Sequence, residues 1–465
     1  MMTQPSRRDC LKSAAFTILP ALSVRTYAAN EKINVAVVGV GSMGSGDIGR
    51  MISAAPNQHV AGAPVKVPPI NVVALCDVDS RGPLERNPRK AFPEFPTKMR
   101  LWTDYREMLD KQKDIEAVFV ATPDHHHAII SMRAMQMGKH VSTEKPLTRT
   151  ISELRALGAA AKKYKKVATA CDMEGHAFDE MRGMVEWVKA GVIGDVREVH
   201  IWVGGGGRPR DYTAMKAPLP IPDYLNWDLW LGPARQQPYH AGLHPGSWRG
   251  WWDFGTGAIG DWCGHLFDCT IWALDLEAPT SVEPQWDGSD LSEVYWQSAV
   301  IKYNFPARGK LPPVTVTWYD GGKMPPKPEE MGPDEELPRG GGYLMVGSKG
   351  KLVAIGRKSY LESDHGWLLP KSRMKDFQPP KPTLPRVKDQ EHLNEWLDAI
   401  KGGPPATCAF DLYPSRIFEI GILGTVAVRV GKPIEWDAKN MRVKGVPEAD
   451  RFIHHEYRKG WELGS

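Results

Sequence analysis

The chain has 465 residues, which is too long for one compact core and suits two domains of ordinary size. Hydrophobic residues make up 42% and charged residues 25% of the sequence, a globular composition that excludes a disordered or fibrous chain. The formal net charge is +4, but residues 1–28 contain four basic residues and one acidic residue, so the rest of the chain is nearly neutral. A nearly neutral body argues against nucleic-acid binding, and no stretch is apolar enough to span a membrane.

The cysteine and tryptophan contents further restrict the kinds of site that the sequence predicts. The six cysteines are scattered and form no C-x-x-C pair, which predicts neither a disulfide framework nor a zinc site. The 17 tryptophans are an unusually high number, and because indole rings suit half-exposed binding surfaces, we expect part of them to form platforms for sugar rings. Core filling is the competing interpretation for the others.

Residues 1–28 have the layout of an export signal. A basic start is followed by the mildly apolar stretch 13–24 and by a small-residue cleavage site. Arg7 and Arg8, with Leu and Lys at the expected offsets behind them, resemble the twin-arginine signal, with Cys10 in the place usually taken by phenylalanine. We therefore expect the mature protein to be exported already folded, to the periplasm or elsewhere outside the cytoplasm.

The sequence after the signal predicts a dinucleotide-binding turn. Residues 32–40 form a continuous apolar, β-branched run, which is typical of a strand buried on both faces of a parallel sheet. The run leads into the G-x-G-x-x-G pattern of residues 39–44. In this pattern Gly39 makes the tight turn, Gly41 lets the backbone approach a pyrophosphate, and Gly44 lets the following helix pack closely on the strand.

A second strand points to the identity of the nucleotide. The run Ile70–Cys76 ends at Asp77, which is placed to accept hydrogen bonds from the adenosine ribose hydroxyls. The distance from the glycines to this acidic residue exceeds the usual spacing of about 20 residues, and a Pro/Gly-rich insertion at 56–69 accounts for the excess. An acidic Asp77 repels a 2′-phosphate and favours NAD, while Arg81 nearby leaves NADP open as the alternative.

The alternation of helices and strands continues toward residue 150. Two further strands are followed by polar turns, the T-P-D-H-H-H loop of residues 122–127 and the Glu-Lys-Pro turn of residues 144–146. Ligands bind beyond the carboxyl ends of the strands in open parallel sheets, so both turns are expected at a ligand cleft. Three consecutive histidines cannot all face one ion, and no acidic or cysteine partner has ligand spacing, so we predict no metal site. The predicted elements here are a helix at 105–112, a strand at 117–121, a helix at 128–137 and a strand at 140–143.

These motifs, taken in order, resemble the Gfo/Idh/MocA oxidoreductase family, which includes glucose–fructose oxidoreductase and inositol dehydrogenase. The resemblance extends to residues 260–265, whose D-x-x-x-H pattern fits a site motif of that family, and it covers nearly all of the chain from residue 32 onward. It implies an α/β Rossmann domain at 32–150 and an α+β domain at 151–465 with a large, mostly antiparallel open sheet. The C-terminal segment is expected to pack back on the Rossmann domain.

The resemblance also implies roles for individual residues. Lys145 would bind a substrate hydroxyl, and Asp261 and His265 would flank the reacting carbon, with His265 as the general acid or base. No tyrosine base can be aligned, so this assignment depends on the D-x-x-x-H pattern alone. Glu144 would lie on the nicotinamide ribose side. The residues expected to contact the cofactor are Gly39, Gly41, Ser42, Met43, Gly44, Asp77, Thr122, Pro123, His127, Glu144 and Lys145.

The spacing of Asp261 and His265 also has a meaning that does not depend on the family. Residues four apart lie on one face of a helix, so both side chains are expected to project into the same cleft. The glycine-rich residues 255–260 precede them and permit close approach of the backbone to a ligand. A helix carboxylate and a core histidine, without function, are the competing interpretation.

The residues after 150 are expected to form the substrate domain. Several of their runs, such as 314–319, alternate in sidedness, which suits an antiparallel sheet with one ligand-facing side. The segment 239–252 contains two histidines, one arginine and three tryptophans, so we expect it to bind a polyol or a carboxylate, unless it is an interface or core segment. The Pro/Gly-rich stretch 310–342 is expected to be a lid or an arm of a homo-oligomer formed through the C-terminal sheet. The candidate substrate residues are His176, His240, His244, Arg249 and Trp251.

Three functions compete at this point. The leading hypothesis is an exported NAD(P)-dependent oxidoreductase with a tightly bound cofactor, which acts on a CH–OH group of a sugar, polyol or sugar derivative. The alternative is an NAD-dependent glycosidase that oxidises the sugar transiently, eliminates the aglycone, adds water and reduces the ketone again. Export favours this alternative, because the periplasm is expected to offer no free NAD pool. A sugar-binding protein without catalysis is the third, and the intact Lys145, Asp261 and His265 argue against it.

Overall fold

The computed structural model describes residues 32–52, 70–81, 99–203, 215–287, 290–355 and 366–464. Two of the expected features, the export signal at 1–28 and the insertion at 56–69, lie outside the described residues. Within the described ranges, no helix combines the length and the apolar character that a membrane span requires.

Two sheets and the helices packed on them make up the described chain. The strands are β1 (Ile33–Val38), β2 (Ile70–Cys76), β3 (Arg100–Trp102), β4 (Ala117–Val120), β5 (His140–Thr143), β6 (Thr169–Cys171), β7 (Val196–Trp202), β8 (Ser281–Asp287), β9 (Ser298–Phe305), β10 (Val314–Tyr319), β11 (Gly342–Gly347), β12 (Gly350–Ile355), β13 (Gly366–Leu369), β14 (Ile434–Asp437) and β15 (Arg442–Val443). The helices are α1 (Ser42–Ile52), α2 (Tyr105–Lys111), α3 (Asp124–Gln136), α4 (Ile151–Lys163), α5 (Asp179–Lys189), α6 (Trp227–Leu231), α7 (Gly257–Leu274), α8 (His392–Ile400), α9 (Tyr413–Val430) and α10 (Asp450–Ile453).

The first sheet is parallel and has six strands in the order β3-β2-β1-β4-β5-β6. Its central strands are apolar along their whole length because both faces of the sheet are covered. One face packs against Met108 of α2, Ile129 of α3 and Leu154 of α4. The other packs against Ile48 of α1 and Trp396 of α8. This is the Rossmann arrangement that the sequence predicts.

The first sheet extends past residue 150, where the sequence analysis ends the Rossmann domain. Strand β6 pairs with β5 in parallel and continues the sheet to Cys171. Helix α8, from much later in the chain, covers part of the second face. It can do so because Leu393, Trp396, Leu397 and Ile400 are buried on one side of the helix.

The second sheet has nine strands in the order β13-β12-β11-β7-β10-β9-β8-β14-β15, and of these neighbours β7 and β10 are parallel while the other pairs are antiparallel. Strands β9 and β10 alternate between buried and more exposed residues. The buried face, with Ile301 and Val316, packs on Phe267 of α7 and Leu423 of α9. The predicted class, a Rossmann domain followed by an α+β domain with a mostly antiparallel sheet, is confirmed.

The stretch 310–342 is not a free lid, because it packs against the second sheet of its own chain, while its expected role as an arm of an oligomer stays a prediction. Its first part contains β10 in the middle of the second sheet. Its second part folds back on the outer face of that sheet, where Met331 and Leu337 pack against Trp202. The Trp202 indole N–H also donates to Pro338 O at 2.7 Å. Apolar side chains spaced along this Pro-rich segment explain the packing, because they bury sheet surface. That the protein is a homo-oligomer stays a prediction.

Most of the tryptophans are packed inside the protein and do not form exposed platforms. Trp202, Trp318 and Trp396 are fully buried, and Trp227 stacks on Trp230 with ring centroids 4.7 Å apart. Core filling therefore accounts for most of them. The five described cysteines are buried thiols that form no disulfide with one another.

Candidate functional site

The turn after β1 has the shape of a pyrophosphate cradle. Gly39 has a φ of 87°, and a Cβ atom there would lie 2.6 Å from the Ala121 backbone. A Cβ at Gly44 would lie 2.0 Å from the Gly39 carbonyl oxygen, so a side chain would push α1 away from β1. At Gly41, in contrast, a Cβ would meet no atom within 4 Å, so the backbone faces open space. The positive end of α1, which begins at Ser42, lies beside the same space.

Asp77 follows β2 at the same edge of the sheet. Its Oδ2 accepts a hydrogen bond from the Val40 N–H at 2.7 Å, and its Oδ1 accepts one from the Asp79 N–H at 2.9 Å. Burial raises the pKa of this carboxyl to about 6, and the backbone amides offset only part of the effect. Asp77 therefore lies next to the glycine turn, where an acceptor for the adenosine ribose hydroxyls is needed.

A cleft follows the carboxyl edge of the first sheet from the end of β3 to the end of β5. The described residues fit NAD, because the open backbone at Gly41 admits a pyrophosphate and the carboxylate of Asp77 can accept from a ribose diol. Gly44 supports this turn from inside the helix. Of the predicted cofactor residues, those that line the cleft are Gly39, Gly41, Ser42, Met43, Asp77, Thr122, Pro123, Glu144 and Lys145.

At the far end of the cleft, a residue that follows a strand of the first sheet meets a residue of the second domain. Lys145, which follows β5, places its Nζ 2.5 Å from Oδ1 of Asp261 on α7. Gly264 of α7 also lies close to this pair, since a Cβ there would be 3.7 Å from the Lys145 Cβ, an ordinary packing distance. Burial would raise the pKa of Asp261, but Lys145 and Arg249 together hold it far below its usual range. Asp261 is therefore a carboxylate that stays ionised.

Arg249 is the second cation at this end. Its guanidinium lies 3.2 Å from Asp124 and 3.5 Å from Asp261. Burial lowers the pKa of Arg249, but the two carboxylates raise it more, so the group stays protonated. Asp124, which is buried in the first turn of α3, also accepts a hydrogen bond from Thr256 Oγ1 at 2.6 Å. Sequence analysis assigns no role to Asp124, although it stands inside the T-P-D-H motif, and no local signal identifies Thr256.

His265 lies one helical turn after Asp261 on α7. It is 4% exposed, whereas the side chain of Asp261 is 28% exposed, so the histidine is the deeper of the two. His265 also contributes, after Lys145 and Arg249, to lowering the pKa of Asp261, so the two side chains lie within electrostatic range of each other. The structure thus brings Lys145 and Asp261 together, with His265 one helical turn further along α7 and deeper in the protein. Of these three residues Lys145 lines the cleft, so the expectation that Asp261 and His265 both project into it stays a prediction.

The three consecutive histidines belong to a helix and not to the loop expected at 122–127, because α3 begins at Asp124. Their rings are buried. His125 and His126 each place Nε2 2.9 Å from the carbonyl oxygen of Trp230. These contacts attach α3 to the segment around α6, and they make the two side chains part of the packing between the domains.

His127 has a positioning role in place of the expected cofactor contact. Its Nδ1 lies 2.7 Å from Pro146 O, and its Nε2 lies 2.8 Å from Thr122 O. It does not belong to the residues that line the cleft in the described part of the chain. The ring instead joins the turn after β4 to the Glu-Lys-Pro turn after β5, so it helps to hold Lys145 in place.

Three candidate substrate residues are part of the packing. His176 places Nδ1 2.8 Å from fully buried Asp268, and its ring stacks on Trp272 at 4.0 Å. The ring of His240 lies 4.9 Å from that of Trp251, whose indole N–H donates to a backbone carbonyl at 2.7 Å. The structure therefore does not bring His176, His240 and Trp251 into the cleft, and the core interpretation holds for these side chains.

His244 lines the cleft, but at the end opposite Lys145. Its Nε2 lies 2.8 Å from Oδ2 of Asp79, which also pairs with Arg81 at 3.3 Å. Burial raises the pKa of Asp79, but Arg81 and His244 bring it below its usual value. Because Asp79 comes two residues after Asp77, His244 belongs to the adenosine side and not to the substrate side expected from the sequence. Arg81 is engaged by this pair, which favours NAD over NADP.

A group of three buried carboxylates lies beside the cleft. The oxygens of Asp47, Glu144 and Asp172 lie within 4.8 Å of one another. His392 of α8 places Nε2 2.8 Å from Asp172 Oδ1. Four distant parts of the chain contribute these side chains, so the spacing in the sequence does not reveal the group. That the protein needs no metal stays a prediction.

The fold and the cleft define a class of protein. A Rossmann domain whose cleft fits a dinucleotide, joined to an antiparallel-sheet domain that brings a cation–carboxylate pair to its far end, is the organisation of an NAD-binding oxidoreductase. Residues 33–171 match the model of the GFO_IDH_MocA oxidoreductase family with NAD-binding Rossmann fold, and residues 188–307 match the C-terminal alpha/beta domain of that family. The two segments cover more than half of the chain. The protein belongs to the Gfo/Idh/MocA family, and its cofactor is NAD.

Individual relatives match over shorter stretches. A glycosyl hydrolase family 109 protein of Saccharopolyspora erythraea is 27% identical over 172 residues, which is 37% of this chain and 34% of the relative. The 1-carboxy-3-chloro-3,4-dihydroxycyclohexa-1,5-diene dehydrogenase of Comamonas testosteroni is 33% identical over 132 residues, 28% of this chain and 31% of the relative. The match therefore spans about a third of each curated relative.

A solved structure extends the likeness to the whole fold. The WlbA dehydrogenase of Bordetella pertussis, in complex with NADH and UDP-GlcNAcA, superimposes with a TM-score of 0.55. The superposition covers 88% of this chain and 99% of that one at 16% sequence identity. At this identity the likeness concerns the fold, and the chemistry has to be argued from the residues of this chain.

Proposed function

We propose that the protein is an NAD-dependent oxidoreductase acting on a CH–OH group of a sugar, polyol or sugar derivative, with a tightly bound cofactor. The observation that carries this proposal is the Lys145–Asp261 ion pair, in which a cation from one domain meets an ionised carboxylate from the other at the end of the NAD cleft. The names of the partial relatives, a dehydrogenase and a glycosyl hydrolase, support the reaction type and the substrate class.

The side chains at the reaction end of the cleft have different roles toward one hydroxyl group of the substrate. NAD, when bound, accepts a hydride from the carbon that carries the hydroxyl. Lys145 donates a hydrogen bond to the hydroxyl oxygen and stabilises the negative charge that develops there as the proton leaves. His265 accepts that proton as general base. Asp261 orients Lys145 and stabilises the imidazolium, while Arg249 holds Asp261 in position.

The NAD-dependent glycosidase is the second candidate, and one observation favours it. It is the partial match to a glycosyl hydrolase family 109 protein, 27% identical over 172 residues. In this reaction the same base and cation serve twice, first in oxidation of the sugar and then in elimination of the aglycone beside the new ketone. Bound NAD would be regenerated within each cycle of this reaction, so a retained cofactor would suffice for many turnovers.

One assay separates the candidates. The purified protein is analysed for bound NAD and then mixed with a panel of p-nitrophenyl glycosides and free sugars, with no NAD added. Nicotinamide absorbance that changes without aglycone release supports the dehydrogenase, and aglycone release over many turnovers supports the glycosidase. Neither signal with any member of the panel, in a protein loaded with NAD, contradicts both. Lys145→Ala is the control that should strongly slow either signal.

Export by the twin-arginine route is a separate part of the proposal, supported by the layout of residues 1–28. Replacement of Arg7 and Arg8 by lysine keeps the charge and removes the recognised pair. We expect this double variant to remain in the cytoplasm, while the parent protein appears in the periplasmic fraction with residues 1–28 removed. Equal export of both would contradict this part without affecting the proposed reaction.

A further inference from the structure

The C-terminal tail, residues 454–464, leaves α10 in the second domain and crosses to the Rossmann domain. Arg458 fastens the tail, since its Nε donates to Gly232 O at 2.9 Å and its Nη1 donates to Gln236 at 2.8 Å. Further along, Gln136 of α3 donates to Gly464 O at 3.4 Å. The tail thus lies across the junction between the two domains.

Trp461 is the residue of this tail that reaches the cofactor cleft. It is 6% exposed, and its ring lines the same cleft as Asp77 and Lys145. The Arg106 guanidinium lies over the indole at 4.1 Å from the ring centroid, and the His126 ring meets its edge at 6.1 Å. The indole is therefore held in a defined place between α2 and α3.

The position of Trp461 along the cleft identifies the part of the cofactor that it faces. Arg106 lies in the first turn of α2, directly after β3, and His126 lies in the first turn of α3, after β4. Strand β3 is at the opposite edge of the sheet from β5, after which Lys145 stands. In a Rossmann fold the half that contains β2 and β3 binds the adenosine. Trp461 therefore lies on the adenosine side, together with Asp77.

We infer that Trp461 is a cofactor-binding residue, and that the C-terminal tail closes the adenosine end of the cleft over the adenine ring. The Arg106 and Arg458 guanidiniums hold the indole at 4.1 Å and 5.4 Å from its ring centroid, and the part of the ring that lines the cleft is presented to the base. Contact between an aromatic ring and a base is worth a large part of the affinity for a nucleobase. The tail lies outside both segments that match the family models. The inference rests on NAD binding and is independent of the proposed reaction.

The test compares ligands that contain adenosine with one that does not. Cofactor-free protein is titrated with NAD, ADP-ribose and nicotinamide mononucleotide in a calorimeter. For Trp461→Ala we expect the Kd of NAD and of ADP-ribose to rise by about tenfold or more, the usual effect of removing one stacked ring, and the Kd of nicotinamide mononucleotide to stay within about twofold. A faster loss of NAD on dilution should accompany the change.

Two further variants separate stacking from packing. Trp461→Leu keeps apolar bulk and supports the fold, but should weaken NAD as alanine does, whereas Trp461→Phe should retain most of the affinity because it keeps a ring. Trp436→Ala removes a tryptophan of similar burial from β14, so it should lower stability without changing the Kd of NAD. Unchanged NAD binding in Trp461→Leu, or equal weakening of all three ligands, would overturn the inference.

Discussion

A partly buried carboxylate lies at each end of the cleft, and the pKa values of the two carboxyl groups are shifted in opposite directions. At the adenosine end, Asp77 is held by backbone amides alone, and burial raises its pKa to about 6. At the reaction end, burial acts on Asp261 in the same direction, but Lys145 and Arg249 reverse the effect and hold its pKa far below the usual range. Neutral dipoles compensate a buried charge only in part, whereas two cations overcompensate it.

The difference in pKa between Asp77 and Asp261 fits the role of each end of the cleft. A group that binds a ribose diol needs only to accept hydrogen bonds, so its charge can depend on pH. A group that orients a cation and a base during turnover has to be ionised at every pH at which the enzyme works. The comparison therefore predicts that cofactor affinity is sensitive to pH and that the charge state of the Lys145–Asp261 pair is not.

The largest expected effect is at the reaction end. His265→Ala should lower turnover by about 10²–10⁴-fold, the usual contribution of a positioned general base, without emptying the NAD site. The measurement is single-turnover reduction of bound NAD⁺ on mixing with substrate, followed at the nicotinamide absorbance band. His454→Ala, at an exposed histidine outside the cleft lining, is the matched control. If His265→Ala reduces its cofactor as fast as the parent protein, the D-x-x-x-H assignment is wrong.

The same assay examines whether the reaction end acts as a unit. Lys145→Ala should also slow turnover, because the developing oxyanion loses its hydrogen-bond donor. The double variant of Lys145 and His265 should lose less than the product of the two single losses, since both residues act on one proton transfer. Independent, multiplicative losses would show that the two side chains serve different steps.

The next effect is at the glycine turn. Gly41→Val should abolish NAD binding, a weakening of about 100-fold or more, because its side chain fills the space that the pyrophosphate needs. The variant should fold, since a Cβ at Gly41 meets no protein atom within 4 Å. Gly46→Val, at another open position of α1 outside the cleft lining, is the matched control. Full NAD occupancy in purified Gly41→Val would contradict the assignment of the turn.

A smaller effect is expected at Asp77. Asp77→Ala should weaken NAD binding by about 1–3 kcal/mol, the cost of losing a hydrogen bond to a charged group, which corresponds to about 5–150-fold in Kd. Calorimetric titration of cofactor-free protein measures the change. Unchanged affinity would move the ribose acceptor to Asp79, two residues further on.

The smallest effect is the pH dependence of the same site. Since the pKa of Asp77 is about 6 in the cofactor-free protein, most of the carboxyl is protonated at pH 5 and nearly all is ionised at pH 8. The ionised form accepts from both ribose hydroxyls, so the Kd of NAD should fall by about tenfold between pH 5 and pH 8. Asp77→Asn should flatten this profile. A profile that stays equally steep in Asp77→Asn would assign the titration to another group.

The adenosine end could be predicted from the sequence almost completely. The apolar run of β1, the three glycines and Asp77 at the end of β2 lie within one βαβ unit, so their spacing in the chain reflects their arrangement in space. Even here the sequence put His244 at the wrong end of the cleft and missed Trp461, because both come from distant segments that reach the cleft only after the domains pack.

The reaction end shows the limits of sequence reasoning. Local patterns singled out Lys145, Asp261 and His265, and helical spacing predicted that the last two share a face. The pattern of 239–252 did not distinguish Arg249, which pairs with Asp261, from His240 and Trp251, which pack in the interior, since composition does not tell which side of a segment faces the cleft.

The sequence by itself determined the class of the fold, the glycine turn with its acidic partner, and the candidates for the reaction, because each depends on spacing within one element or one βαβ unit. Only the tertiary structure decided that His127 joins two turns, that His176 is buried beside Asp268, that α8 covers the first sheet and that Trp461 lines the cleft. These features depend on contacts between residues that are up to hundreds of positions apart, and burial of apolar surface between whole elements sets them, which no local pattern records.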